Sequence, residues 1–126
     1  MIELSMNKII SLHKSLALAT GGQLGIKDEE QLAKAIEKKY QTLDGREVYP
    51  TIEEKAAKLG YSLILNHAFF DGRKRLGMYA MLILLEVNGI KISCDNDDII
   101  NVGRAVAAEK MSYEQLHKWI LEHRID

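Results

Sequence analysis

Apolar residues recur at spacings of three and four along most of this chain, and each recurrence opens on a capping signal. Ser5 precedes a run in which Ile9, Leu12, Leu16 and Ala17 share one stripe, and Gly21-Gly22 stops it. Asp28 with Gln31 resembles a capping box and opens a second helix whose apolar face is Leu32, Ala35, Ile36 and Tyr40. The segment DGREVYP, 44–50, breaks the helical period, and its turn signal followed by Val-Tyr predicts a short hairpin or extended flap. Pro50, Thr51 and Glu54 start a third helix, in which Ile52, Ala56, Leu59, Leu63 and His67 form the inward stripe.

After Gly72 a helix runs to about Asn88. Leu76, Tyr79, Ala80, Leu82, Ile83, Leu84, Leu85 and Val87 leave it almost no polar face. A helix apolar all round belongs at the centre, wrapped by the others. Asn88-Gly89 stops it, and two more helices start at Asp95 and at Ser112 with Gln115. They turn Ile99, Val102 and Val106, then Leu116, Trp119 and Ile120, inward. The pattern predicts an all-α fold: a compact bundle of about six helices around a central apolar helix, with a short flap near 44–50.

Composition narrows the function classes. At 126 residues the chain is read as one domain, 1–126, and 47% apolar content with a single proline excludes disorder. No apolar run approaches the roughly 18 to 20 residues of a membrane span. The start MIELSMNKII carries no secretory leader and the lone Cys94 cannot form an internal disulfide, so the expected location is a reducing cytoplasm. A formal net charge of −1 gives no global attraction to nucleic acid or to an acidic membrane. Any anion site must come from local clustering, and Arg73-Lys74-Arg75 is the one dense cluster of cations.

That cluster opens the central helix, in the stretch HAFFDGRKRLG at 67–77. A helix N-terminus offers unpaired N–H groups and a partial positive charge to an anion. Gly72 lets the backbone approach a ligand, Lys74 and Arg75 add full charges, and Asp71 supplies the hard oxygen that Mg²⁺ prefers. A Mg-nucleotide satisfies all of them. Cations in a first turn oppose the macrodipole, and such a local violation is a mark of function. His67 suits a base that takes the proton from an attacking hydroxyl near pH 7. The plain reading stands beside it: a satisfied, partly buried histidine, an Asp-Gly turn and a solvated helix start. Phe69 reads as core. His13, His117 and His123 show no metal-ligand spacing, and Cys94 has no CxxC partner.

Taken together, the stretch resembles the signature of the Fic/Doc family, in its death-on-curing (Doc) toxin branch. The pattern, roughly H-x-F-x-D/N-A/G-N-K-R, is matched in place by His67, Phe69, Asp71, Gly72, Lys74 and Arg75. GGQLGIKDEEQLAKAI at 21–36 and LLEVNGI at 84–90 resemble further stretches of Doc proteins. The resemblance implies a compact helical bundle and a kinase that moves the γ-phosphate of ATP, with Mg²⁺, onto a threonine of elongation factor Tu. It implies His67 as base, Asp71 as a Mg²⁺ ligand, and Gly72, Lys74 and Arg75 on the phosphates.

Fic adenylyltransferases continue G-N-G-R-x-x-R, whereas this chain has Lys74 and Met78 at the second glycine and second arginine, so the Doc branch fits better. The self-restraining S/T-x-x-x-E-G/N helix of some Fic proteins is missing, so restraint is expected from a separate antitoxin. The family asparagine is Arg73 here, and Leu76 replaces a small hydroxyl residue. The Arg73 guanidinium either serves as a phosphate fork or fills space the nucleotide needs. Adenylylation, or a catalytically degenerate binding protein, is the alternative reading.

Overall fold

The computed structural model describes residues 1–21, 25–66 and 73–125. Among them are six α-helices: α1 Met6–Thr20, α2 Glu29–Glu37, α3 Ile52–Leu65, α4 Arg73–Val87, α5 Asn96–Ala107 and α6 Tyr113–His123. The all-α expectation and the helix starts hold. Ser5 Oγ accepts from Lys8 N, and Gly21 ends α1 in the left-handed region with φ 71°. Asp28 caps α2 by accepting from Gln31 N. Full reciprocal capping boxes form at Thr51/Glu54, Asp95/Asp98 and Ser112/Gln115. Each satisfies two backbone N–H groups that a helix start otherwise leaves orphaned.

The nearly all-apolar α4 is central, packed against α1, α3 and α5. Leu76, Met78, Ala80, Met81, Leu84 and Leu85 are fully buried, which is why this helix could dispense with a polar face. Its last turn departs from the expectation, because Val87 is exposed beyond the edge of the bundle. There Asn88 turns back: its Nδ2 donates to Leu84 O and Ile2 O, and its Oδ1 accepts from Ile2 N, which fastens the first residues to the end of α4.

Two further positions differ from the predicted stripes. Tyr40 is 41% exposed, while its neighbour Lys39 is fully buried. The α-helical rotation stops at Glu37 and a 3₁₀ turn, Lys38–Tyr40, follows. Its tighter three-residue period swings Tyr40 outward. Lys39 Nζ donates to Ile36 O and lies 3.4 Å from the Glu3 carboxylate. Burial holds this ammonium below the usual lysine range, while Glu3 acts in the opposite direction. On α1, His13 occupies an inward position at 3% exposure, and Leu12 and Leu16 sit at its margins, only partly buried.

The flap exists as a hairpin, β1 Thr42–Leu43 antiparallel to β2 Arg46–Glu47. Its tip is Asp44-Gly45 with φ 53° and 76°, the double left-handed pair of a type I′ turn, which matches the twist of the strands it joins. A second short ladder pairs β3 Lys91–Ile92 with β4 Arg124–Ile125. Nothing in the sequence forecast it, because two-residue strands are too short to display a period.

Candidate functional site

The junction between α3 and α4 is set by how closely these two helices approach. Gly60 and Gly77 face each other across the crossing: a Cβ placed on Gly77 would meet Ile64 Cγ1 at 2.5 Å and Gly60 O at 2.8 Å. Close backbone approach of this kind holds α3 and α4 tightly together at the crossing. α3 stops at Leu65 and Asn66 is extended (φ −85°, ψ 146°), while His67, expected to end its inward stripe, lies outside the described residues. The Asn66 side chain donates to Gln31 O at 3.2 Å, which ties this end of α3 to α2.

His67, Asp71 and Gly72, the expected base, Mg²⁺ ligand and phosphate-approach residue, lie outside the described residues, as do Phe69 and Phe70. The three cations are described and stand where expected, as the first residues of α4 with no acid in the turn. Lys74 and Arg75 are exposed, whereas Arg73 is half-buried with its Nε out of solvent. α5 comes in beside them: a Cβ on Gly103 would lie 3.3 Å from Lys74 O, so α5 runs close against the first turn of α4. A cationic helix N-terminus with its charges in solvent fits a polyphosphate. Asp71 would be one carboxylate ligand, and Mg²⁺ on a nucleotide commonly takes only one or two from protein.

On the other side, the flap is held to α3 by lysines. Lys55 Nζ donates to Tyr49 O and lies 2.8 Å from Glu47 Oε1, with the lysine itself buried. One turn on, Lys58 Nζ sits over three rings, Tyr49, Tyr61 and Tyr113, at 5.3, 5.5 and 5.6 Å. Tyr49 and Tyr113 meet edge to face at 5.1 Å, and the Tyr113 hydroxyl donates to Glu54 O. Burial, then the Glu54 charge, pushes the Tyr113 hydroxyl well above its usual range, so it stays a neutral donor. Sequence reading missed this lysine-and-tyrosine cluster. Lys58 and Tyr61 do share a helical face, but Tyr49 and Tyr113 come from distant segments.

The remaining candidates take structural places. His117 stacks on Tyr113, and His123 stacks on Trp119 at 4.3 Å with Nδ1 2.7 Å from Trp119 O. No group of three or more potential metal ligands occurs among the described residues. Burial, with Asp98 and Asp95 nearby, raises the Cys94 thiol, the opposite of what a reactive thiolate needs. No described helix is long and apolar enough to cross a membrane.

Comparison with known proteins adds two findings. A family model described as the Fic/DOC family matches residues 3–85. A protein named Toxin Doc from Mycolicibacterium smegmatis is 37% identical over 81 residues, 64% of this chain and 62% of that relative. The match therefore spans less than two thirds of the relative's length. The family-model match covers α3 and most of α4, including its cationic first turn.

Proposed function

We propose, from the premise that this chain belongs to the Fic/DOC family, that it is a Doc-like toxin of a toxin–antitoxin module. It transfers the γ-phosphate of ATP to a hydroxyl of a translation factor, elongation factor Tu, in the cytoplasm, and a separate antitoxin restrains it. The observation that carries this reading is the run Arg73, Lys74, Arg75 opening α4 directly after HAFFDG in a chain of this family. ATP supplies the phosphoryl group and Mg²⁺ offsets its charge. His67 accepts the proton of the acceptor hydroxyl, Asp71 holds the metal, and Gly72, Lys74 and Arg75 receive the phosphates. Neither nucleic acid nor membrane takes part.

Incubation with elongation factor Tu and labelled ATP tests the reaction. Label from γ-labelled nucleotide is expected on the factor. Transfer from α-labelled nucleotide alone would mean adenylylation and reject the kinase.

Arg73 favours a second reading, a degenerate member that keeps the fold and a binding role. It is the first residue of α4, where the chain after Gly72 approaches the phosphates, and it is bulkier than the asparagine expected there. We expect Arg73→Asn to raise transfer about tenfold, equivalent to about 1.4 kcal/mol. A fall in Mg-ATP affinity on calorimetry would instead identify Arg73 as a working phosphate ligand.

A further inference from the structure

A cleft of about 500 Å³ runs between α2 and α3 and ends at Asn66, the residue before the proposed base. Among the described residues, Lys27, Lys38 and Lys58 line it, with Asp28 as the one acid. The Asp28 carboxylate is already engaged, accepting from Gln31 N as the cap of α2. None of the three lysines pairs with a carboxylate among the described residues. Among the described residues the cleft thus carries a net positive charge, with Lys27 and Lys38 exposed to solvent. Lys58 is also held in place, since its ammonium rests over three tyrosine rings, so little side-chain freedom is lost when it meets an anion. Ser62 supplies an independent sign of a site: it lines the same cleft, is 6% exposed, and its buried Oγ has no hydrogen-bond partner. Buried hydroxyls are normally satisfied, and this one sits behind the cleft wall with its donor unused.

We propose that this cleft docks acidic side chains near the acceptor hydroxyl of a protein substrate, a proposal that rests on protein phosphorylation as the reaction. The spacing of the lysines selects a peptide over a compact polyphosphate. Lys27 precedes α2 and Lys38 follows it, and the nine residues between cap and end rise roughly 14 Å at about 1.5 Å each. An extended peptide covers that span in about four residues at roughly 3.3 Å each. Glutamates or aspartates about four positions apart reach both lysines together, and Lys58 lines the same cleft. The cleft lining also contains no arginine, the fork-shaped cation that grips phosphate in two places.

The test uses the full chain without nucleotide and a fluorescein-labelled peptide carrying one threonine and glutamates four residues apart. Anisotropy should report binding to the wild type and none for the same peptide with lysine in place of glutamate. The double variant Lys27→Glu/Lys38→Glu should weaken binding about tenfold or more, as expected for reversing two facing charges. Both lysines are exposed, and Lys27→Gln/Lys38→Gln should give a smaller loss in the same direction. Calorimetry should give the same Mg-ATP affinity for wild type and double variant. Failure of the wild type to bind the peptide, equal binding by the double variant, or a loss confined to Mg-ATP would each overturn the proposal, the last assigning the cleft to nucleotide phosphates. Peptide binding without any phosphate transfer would sink the kinase reading and leave the cleft's role standing.

Discussion

Gly77→Ala should destabilise the protein by about 2 kcal/mol, although the same change in an ordinary exposed helix position stabilises by about 1 kcal/mol through helix propensity. The added methyl has nowhere to go. Its nearest neighbours are Ile64 Cγ1 at 2.5 Å and the Gly60 carbonyl at 2.8 Å, one on a fully buried side chain and the other on backbone. Relief requires α3 and α4 to move apart, which opens the core around Leu63, Ile64, Met81 and Leu84. Overpacking of this kind costs about 1 to 3 kcal/mol and more against backbone, so the steric term exceeds the propensity gain. Thermal unfolding should show a midpoint lowered by roughly 8 °C. Gly103→Ala is the internal control: its Cβ would meet Lys74 O at 3.3 Å and a flexible Met78 at 3.4 Å, so it should stay close to wild type. If Gly77→Ala unfolded no earlier than Gly103→Ala, the close crossing of α3 and α4 would be refuted.

The same glycine pair marks where sequence reading stops. The helices, their caps and the central place of α4 were legible because each rests on local chemistry: a side-chain oxygen three residues before the N–H it accepts from, or a period of 3.6 in apolar residues. The flap was legible through Asp44-Gly45, since that dipeptide tolerates the positive φ at both positions. Gly60 and Gly77 carry no such local sign. Their significance lies in facing each other across a helix crossing, which is a long-range fact. Lys39 and Tyr40 show a different limit, because a single 3₁₀ turn rotates the side chains away from the period that predicted them, and burial of a lysine then depends on a carboxylate at Glu3 far back in the chain. At the site, Arg73, Lys74 and Arg75 were readable as a violation of the helix dipole. The cleft of Lys27, Lys38 and Lys58 was not, because its lysines come from three separate elements.

His67→Ala should leave the protein folded and reduce phosphate transfer by about a hundredfold to ten-thousandfold, the usual contribution of a positioned general base. The fold is expected to survive because the buried crossing of α3 and α4 is built on Gly60, Ile64 and Gly77, which the substitution leaves unchanged. An unchanged unfolding midpoint would separate this variant from Gly77→Ala, whose loss of activity would come with loss of stability. Mg-ATP affinity should also be unchanged, because the phosphates are assigned to Gly72, Lys74 and Arg75 and not to the imidazole. The pH profile supplies a signature that a structural histidine would not give. Wild-type transfer should rise with pH as the neutral base form of the imidazole becomes populated, and level off above it. The residual activity of His67→Ala should lack that rise. Transfer retained at the wild-type rate in His67→Ala, or a rising limb still present in it, would place the base elsewhere in the chain.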